Sequence, residues 1–420
     1  MDQSTFDSGS ESAAARHQAL VDALKETGHV AAPRVEAAFR AVPRHVFLPD
    51  LPPETVYADE AIATKKQNGI AVSSSSQPAV MAVMLEQLDL QPGHRVLEIG
   101  AGTGYNAGLM AFIVGEEGRV VTIDIDDDIV AAARVHLDAA GMTDVDVVRG
   151  DGADGYPDAG PYDRIILTVG APDIAPAWIE QLKPGGRLVL PLSLQGNVQK
   201  LVAFEHAGDH LISRSVRSGG FMKLRGAFAA PETHLPLGSV PGLFLGLSTP
   251  RSVDADAIYA LLLGPSRAWP ASVRADERDI WDGVSLWLAL HAPALCSLTA
   301  EGEAASSDLV SDAFAFGPAY RTTIGLCGPQ SLALLIRPYE GGATDDAPML
   351  WVRGFGEDEG LARTLSGHLA SWEAADRPSS AGLRIRAYPG DAPFTPDVGA
   401  TVIVKEHTRL VLDWPASAES

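Results

Sequence analysis

The sequence predicts an α/β protein, with a doubly wound, Rossmann-like domain followed by a second, α+β domain. Short apolar strands alternate with helices between Val96 and Phe204. Such alternation is typical of a parallel sheet with helices on both faces. Glycines and carboxylates follow three successive predicted strands, and a stretch with three prolines, residues 226–242, then interrupts the periodicity. Beyond it no predicted strand ends in a glycine-rich turn, so we place a domain boundary there.

The first of these strand ends carries a glycine turn. Val96–Tyr105 is interpreted as a short buried strand, the turn and the start of a helix. Gly100, Gly102 and Gly104 allow a sharp turn and a close approach to a ligand, because they have no Cβ. The third glycine comes one residue earlier than in the dinucleotide pattern G-x-G-x-x-G. This spacing favours S-adenosylmethionine over NAD, although a lone glycine turn also occurs for structural reasons.

Acidic residues follow the next two predicted strands. Asp124 closes the strand Gly118–Asp124, about 20 residues beyond the glycines, where nucleoside-binding folds place a carboxylate for the ribose hydroxyls. Asp151 and Gly152 follow the strand Val145–Arg149, where an adenine amino group could be met. Any one such acid is most simply a loop residue or a helix cap. Together, at successive strand ends, they predict a nucleoside site, because ligands of open α/β sheets bind there.

A serine run precedes these strands. Ser73–Ser76 leads into Gln77 and Pro78, which begin an apolar helix through Leu88. Pro78 suits a first helical turn because its missing N–H costs nothing there, and Ser76 or Gln77 could cap the helix. A serine run is usually a flexible linker, but this one is short and leads directly into a helix. Hydroxyls and free amides at a helix N-terminus predict an anion site, which we interpret as a carboxylate site.

The composition bounds the kinds of partner. The chain has 420 residues, with 32 Lys and Arg against 54 Asp and Glu, a net charge of −22. This charge argues against nucleic acid as a partner, because nothing offsets the repulsion from phosphates. An acidic surface is most simply a solubility device, although it could also attract a basic peptide segment.

No segment suggests a membrane or secretion. No apolar run in the sequence reaches the ~18 residues that span a bilayer. Met1–Ala13 lacks the basic start and apolar core of a signal peptide. Cys296 and Cys327 have no metal-ligand spacing and are expected to be buried thiols in a reducing compartment. We therefore expect a cytoplasmic protein with no membrane partner and no metal.

Four segments are expected along the chain. Residues 1–12 are rich in Ser, Asp, Gly and Glu and are predicted to be disordered. Residues 13–225 form the nucleoside-binding domain, residues 226–242 a linker, and residues 243–420 the α+β domain. Apolar residues at helical spacing predict helices at Ala13–Thr27, Ala32–Val42, Asp276–Leu290 and Glu359–Ala374. Strict alternation predicts strands at Leu383–Tyr388 and Arg409–Trp414.

Few side chains of the second domain suggest chemistry. Its Arg and Trp residues could bind a peptide, but core and solvated-face roles are simpler for each of them. His291 and His407 are lone histidines without evident partners. The sequence therefore assigns them no chemical role.

These residues together resemble the protein L-isoaspartate O-methyltransferase family over about residues 15–225. Glycine turns are shared by many methyltransferases, whereas the Ser76-Gln77-Pro78 element is much more specific to this family. The resemblance implies a class I methyltransferase domain, S-adenosylmethionine as cofactor and a protein or peptide carboxylate as acceptor. It also implies that Ser76 lies beside that carboxylate as the catalytic residue. The cofactor contacts expected from it are Ser74, Ser75, Gln77, Glu98, Gly100, Gly102, Gly104, Tyr105, Asp124, Asp151 and Gly152.

Two departures from the family's pattern concern the acceptor. The segment before Ser-Gln-Pro usually contains Leu-Pro-Ile-Gly and then Gln-Thr-Ile, but here it consists of Ile62–Gln67 and Ile70–Ser75. Repair enzymes of the family also mostly lack a second domain. The combination resembles enlarged homologues encoded with ribosomally made, modified peptides such as lanthipeptides, graspetides and lasso peptides.

Three hypotheses follow. In the leading one, the chain methylates an aspartate side chain of a modified ribosomal peptide, and the ester closes to a succinimide (aspartimide) that can hydrolyse to isoaspartate. The second domain would then bind the peptide. The alternative is a repair methyltransferase acting on L-isoaspartyl residues of damaged proteins. A third is a non-catalytic adaptor that binds S-adenosylmethionine or only peptide.

Overall fold

The computed structural model describes most of the chain. The described residues are 12–67, 70–195, 198–230, 234–239, 241–248, 251–316, 319–337, 347–357, 359–392, 394 and 399–414. The segment predicted to be disordered, residues 1–12, lies outside them except for Ser12, whose hydroxyl caps the first helix. Parts of the predicted linker, residues 231–233 and 240, also lie outside them.

The described elements are as follows. The helices are α1 Ala13–Glu26, α2 Pro33–Ala41, α3 Pro53–Val56, α4 Pro78–Leu88, α5 Tyr105–Val114, α6 Asp127–Ala139, α7 Pro176–Glu180, α8 Ala255–Leu263, α9 Ser285–His291 and α10 Gly360–Ala374. The strands are β1 Ile62–Gln67, β2 Ile70–Ser75, β3 Arg95–Ile99, β4 Arg119–Asp124, β5 Asp146–Arg149, β6 Tyr162–Leu167, β7 Leu182–Ser193, β8 Gln199–His206, β9 Leu211–Ser218, β10 His234–Pro236, β11 Leu243–Leu247, β12 Ser266–Arg274, β13 Leu295–Glu301, β14 Phe314–Ala315, β15 Tyr320–Cys327, β16 Leu332–Ile336, β17 Met349–Phe355, β18 Arg384–Pro389, β19 Thr401–Val404 and β20 Thr408–Asp413.

One ten-stranded sheet organises the molecule, in the order β19-β20-β18-β9-β8-β7-β6-β3-β4-β5. The five strands from β7 to β5 are parallel. Their apolar residues are buried on both faces: Val96 packs with helices α1, α2 and α4 to α6, whereas its neighbour Leu97 packs with α7 on the other side. Successive side chains of a strand point to opposite faces, so two covered faces require a continuous apolar run. The predicted doubly wound α/β domain is confirmed.

Most predicted elements are confirmed, with bounds that shift by one or two residues. The predicted helix at Asp276–Leu290 is confirmed as a continuous helical run over residues 277–291, in which a π-helical turn, Asp279–Val284, precedes α9. The sequence did not reveal the β1–β2 hairpin, because its exposed face leaves β1 without apolar alternation. The serine run is therefore largely the second strand of a hairpin and not a linker.

A second, antiparallel sheet has the order β10-β11-β13-β15-β16-β17-β12, with β14 paired to β15. Helices α8 and α10 pack against it, as expected for an α+β region. Strands β18 to β20 do not belong to this sheet, because β18 pairs with β9 of the larger one. They cover what would otherwise be an exposed edge. The domain division at residues 226–242 stays a prediction, but the C-terminal strands complete the first sheet.

A buried ion pair joins the two halves. The Lys200 ammonium of β8 is 3.0 Å from a carboxylate oxygen of Asp282, and the Lys200 side chain is 1% exposed. The same oxygen accepts hydrogen bonds from the Ser218 and Ser380 hydroxyls. A charge buried this deeply needs its partner, because desolvation is otherwise uncompensated.

Two further observations concern the class of protein. Within the described ranges, no helix combines the length and apolar character that crossing a bilayer would require. Cys296 and Cys327 are buried and free.

Replacing Asp282 should destabilise the fold strongly. Asp282→Ala leaves the Lys200 charge buried without its partner, and we expect a loss of about 3–5 kcal/mol in the free energy of unfolding, measured by urea denaturation. Asp256→Ala, at an exposed acid of α8, is the control and should stay within about 0.5 kcal/mol of wild type. Equal stability of the two variants would contradict this account of the interface.

Candidate active site at the carboxyl ends of the parallel strands

A cleft opens at the carboxyl ends of β3, β4 and β6. It contains about 850 Å³ of empty space, a volume that includes open solvent. Its lining comes from the serine run, the glycine turn, the ends of the three strands and the segment Met222–Arg225. The cleft therefore lies where ligands of open α/β sheets bind.

The glycine turn needs residues without a side chain. Gly100, Gly102 and Gly104 have φ angles of +103°, +51° and +86°, which L-residues with a Cβ rarely adopt. A Cβ on Gly100 would lie 2.6 Å from the Thr168 hydroxyl oxygen, which itself donates to the Gly100 carbonyl at 2.7 Å. The turn thus closes tightly against the end of β6.

Glu98 lies fully buried at the base of the cleft. One carboxylate oxygen accepts from the Asn106 amide at 2.7 Å, and the other accepts from the Thr122 hydroxyl at 2.6 Å. Burial raises the pKa of Glu98 to about 7, although the two hydrogen bonds act in the opposite direction. Glu98 therefore ties β3 to β4 and α5 below the glycine turn.

Asp124 stands at the end of β4, facing the glycine turn. Its carboxylate oxygens accept from the N–H groups of Gly102 and Asp126, each at 3.3 Å. Burial raises the pKa of Asp124, while these hydrogen bonds lower it. A carboxylate has about four lone-pair positions, so each oxygen can still accept from a ligand hydroxyl.

All four residues of the serine run line the cleft, and they alternate in burial. Ser73 and Ser75 are buried, whereas Ser74 and Ser76 are partly exposed in the cleft. The buried Arg44 guanidinium supports this run from behind. It donates to the carbonyls of Ser75 at 3.4 Å and Ser76 at 3.0 Å, and it does not line the cleft.

Helix α4 is capped differently from the prediction. The Asp59 carboxylate accepts from the Ala79 N–H at 2.8 Å and from the Gln77 side-chain amide at 3.0 Å. Neither Ser76 nor Gln77 caps the helix with its side chain, so the expected cap was wrong. A carboxylate of the chain itself already occupies part of the predicted anion site.

A segment that the motifs did not reveal forms one wall of the cleft. We call residues 221–228 the closing segment. The Gly170 N–H donates to the Met222 carbonyl at 2.7 Å, and the Leu224 N–H donates to the Gly170 carbonyl at 2.9 Å. Arg225 forms an ion pair with Asp126 at 2.9 Å, which also pairs with Lys65 of the hairpin at 2.9 Å. The closing segment and the hairpin thus meet at one carboxylate.

The sequence comparisons bear on the N-terminal half. The sequence model of the protein-L-isoaspartate(D-aspartate) O-methyltransferases matches residues 15–226, about half of the chain. A protein-L-isoaspartate O-methyltransferase of Methanopyrus kandleri is 40% identical over 219 residues, 51% of this chain and 94% of the relative. The enzyme of that name from Pyrococcus horikoshii is 41% identical over 205 residues, 49% of this chain and 86% of the relative.

The chain belongs to this family. Its members are S-adenosylmethionine-dependent carboxyl O-methyltransferases, so the enzyme class and the cofactor expected from the sequence are confirmed at the level of the family. A solved protein-L-isoaspartate O-methyltransferase is 24% identical, with a TM-score of 0.48 over 88% of this chain and 96% of that one. A structure of a protein-L-isoaspartate O-methyltransferase from Plasmodium falciparum, in complex with S-adenosyl-L-homocysteine, is 19% identical to this chain. Its TM-score is 0.44, and the match covers 50% of this chain and 98% of that one.

The cleft fits the family's cofactor on two observations. Gly100 and Gly102 line the cleft without side chains, so a ligand can approach their backbone closely. The Asp124 carboxylate faces this space with spare acceptor capacity, as a ribose diol requires. Nine of the predicted site residues line the cleft, namely Ser74, Ser75, Ser76, Glu98, Gly100, Gly102, Tyr105, Asp124 and Gly152.

Three predicted residues do not line the cleft. The Gln77 amide turns to Asp59, and Gly104 backs onto α6, 3.2 Å from the Ala133 carbonyl at its Cβ position. The Asp151 carboxylate accepts from the Ala227 N–H at 2.7 Å, so it holds the closing segment. Thr168 lines the cleft and was missed, although its place after a strand was a usable signal.

Adding a methyl group at Gly100 should weaken cofactor binding. In Gly100→Ala the new Cβ displaces Thr168 toward the cleft, and we expect the affinity for S-adenosylhomocysteine to fall at least about tenfold by calorimetry. Gly115→Ala is a matched control, because Gly115 also has a positive φ, +66°, but open space at its Cβ position. Equal affinities of the two variants would contradict the proposed fit.

Glu98→Gln should change how stability depends on pH. The native pKa of about 7 lies above the ordinary value of 4.5, so the native state holds the proton more tightly than the unfolded chain does. Stability is therefore lost as the pH rises through 7. Relative to Glu98→Gln, the cofactor-free wild type should lose about 2 kcal/mol of unfolding free energy between pH 5.5 and 8.

Urea denaturation at the two pH values measures this difference. Glu116→Gln, at an exposed glutamate, is the control and should follow the wild type. Parallel pH dependence of the wild type and Glu98→Gln would show that the native carboxyl is not perturbed.

Proposed function

We propose that this chain is an S-adenosylmethionine-dependent carboxyl O-methyltransferase that acts on L-isoaspartyl residues of proteins or peptides. One observation carries the proposal: Ser76, from the family's specific Ser-Gln-Pro element, lines the same cleft as the glycine turn and Asp124. The comparisons support this acceptor better than the aspartate of a modified ribosomal peptide, which the sequence alone favoured.

Different parts of the cleft would hold the cofactor and the acceptor. Asp124 would accept from the ribose hydroxyls, and Gly152 would lie near the adenine. Gly100 and Gly102 would let the backbone approach the cofactor, and Ser74 and Ser75 would contact its methionine end. The bound cofactor supplies an electrophilic methyl group on a sulfonium sulfur.

The chain's own contribution is mainly placement. A carboxylate is already ionised at neutral pH, so the acceptor needs no general base. The Ser76 hydroxyl would donate a hydrogen bond to one acceptor oxygen and leave the other free to attack in line with the methyl group. The neighbouring cation Arg44 donates from a terminal nitrogen to the main-chain carbonyls of Ser75 and Ser76 and does not line the cleft.

A neutral hydroxyl suits this reaction better than a cation. The acceptor's negative charge disappears in the transition state. A cation bound to the carboxylate would therefore stabilise the ground state more than the transition state and slow the reaction. Arg225, which lines the cleft, is engaged by Asp126. The closing segment would also limit water at the reacting carboxylate, because Met222 and Leu224 contribute to the wall.

Mass spectrometry with two acceptors tests the proposal. The full chain and S-adenosylmethionine are incubated with a linear L-isoaspartyl peptide or with the same peptide containing ordinary aspartate. We expect a gain of about 14 Da, one methyl group, on the isoaspartyl peptide alone. Failure to methylate either peptide, with S-adenosylhomocysteine still bound, would contradict this acceptor but not the cofactor site.

A second candidate function is the tailoring of a modified ribosomal peptide. It is favoured by the second sheet, which lies beyond the family match, and by the unusual hairpin, whose Lys65 pairs with Asp126 and Asp128. The C-terminal region would then recognise the peptide. Methylation of the modified precursor only, followed by a net loss of about 18 Da as the succinimide forms, would favour this candidate. The expected cytoplasmic location accords with both candidates.

Ser76→Ala should separate catalysis from cofactor binding. Without the hydrogen bond that orients the acceptor for in-line attack, kcat should fall about tenfold to a hundredfold, with the affinity for S-adenosylhomocysteine near wild type. Ser74→Ala, two residues away in the same run, should instead weaken cofactor binding. Steady-state kinetics and calorimetry measure both effects. A large loss of cofactor affinity in Ser76→Ala would mean that its role is misassigned.

A further inference from the structure

The closing segment is fixed at several points and leads to an aromatic ring. The Gln199 side chain accepts from the Phe221 N–H at 2.7 Å and donates to the Phe221 carbonyl at 3.1 Å. At the other end, the Ala227 N–H donates to Asp151. Phe228 is the residue after Ala227 and lies three positions beyond Arg225, the last residue of the segment that lines the cleft.

Phe228 packs between two rings from opposite halves of the chain. The Trp178 ring of α7 meets it edge to face, at 5.4 Å between centroids and 62°. The His407 ring lies nearly parallel to it, at 5.2 Å and 21°. Trp178 belongs to the half that matches the family, whereas His407 lies in the turn between β19 and β20. The C-terminal strands therefore contact the closing segment directly.

The turn that carries His407 is held by contacts other than the His407 ring. The buried Asp173 carboxylate accepts from the His407 N–H at 2.7 Å and from the Thr408 hydroxyl at 2.5 Å. The Lys405 ammonium donates to the Ser193 carbonyl at 2.7 Å. These contacts do not involve the His407 ring, so a change of the ring leaves the turn attached. Asp173 also lies three residues after Gly170, which pairs with the closing segment.

We propose that His407 is a positioning residue for the cofactor cleft. Its ring holds Phe228, and through Phe228 it keeps Met222–Arg225 in the position that lines the cleft. The C-terminal strands thereby support the cofactor site, in addition to any contact with an acceptor. The inference rests on the cofactor site alone and is independent of which carboxylate is methylated.

Hydrogen exchange of the cofactor-free full chain provides a readout that does not depend on activity. His407→Ala removes one face of the aromatic packing, and we expect the amides of Leu224 and Ala227 to exchange about five to ten times faster. Phe228→Ala should have the same effect from the other side of the contact. His407→Phe, which keeps a flat ring, should restore slow exchange.

Cofactor binding is the second readout. In both alanine variants the Kd of S-adenosylhomocysteine should rise about fivefold to tenfold. The KM for S-adenosylmethionine should rise with it, while kcat at saturation stays within about twofold. A general loss of structure would not separate KM from kcat in this way.

His291→Ala is the matched control. The His291 ring also stacks on an aromatic side chain, Trp287, at 3.8 Å between centroids, but at the end of α9. It should leave both the exchange of the closing segment and the Kd unchanged. The proposal is overturned if His407→Ala behaves like His291→Ala. Loss of protection throughout β3 to β6 in His407→Ala would indicate a general loss of structure. Phe228→Ala is then the deciding variant, and unchanged exchange and Kd in that variant would overturn the proposal.

Discussion

The cleft depends on the missing side chain of Gly100. The Thr168 hydroxyl oxygen lies 2.6 Å from the position that a Cβ would take, and it donates to the Gly100 carbonyl. This contact brings the ends of β3 and β6 together at a separation that only glycine permits. Below the turn, Glu98 accepts hydrogen bonds from Asn106 of α5 and Thr122 of β4, and beside it Asp124 accepts from the Gly102 N–H. The shape of the cleft at the glycine turn therefore depends on this one close approach.

Short-range patterns predicted the centre of the site well. The glycine turn, Asp124 and the parallel strands could be predicted because each rests on local rules of backbone conformation and burial. Contacts made at long range could not. Asp59 caps α4 from 20 residues away, and Asp151 holds the backbone of Ala227. Both carboxylates accept hydrogen bonds from main-chain N–H groups. Every residue except proline has such a group, so the sequence does not indicate which one is the partner.

The C-terminal strands illustrate the same limit. The alternation in β18 and β20 predicts half-buried strands but not the sheet that they join, because the pattern does not encode the neighbouring strand. Their pairing with β9 places the β19–β20 turn beside Asp173 and Phe228. His407, which suggested no chemistry in the sequence, thus lies against the segment that walls the cleft. The family-matched region and the C-terminal strands here share one sheet and meet through aromatic rings.

The decisive measurement is a calorimetric titration of S-adenosylhomocysteine into the full wild-type chain. If the strand ends, the serine run and the closing segment together form one cofactor site, we expect saturable binding with one ligand per chain. Absence of binding by a chain that circular dichroism shows to be folded would contradict it, and would favour an adaptor that binds only peptide.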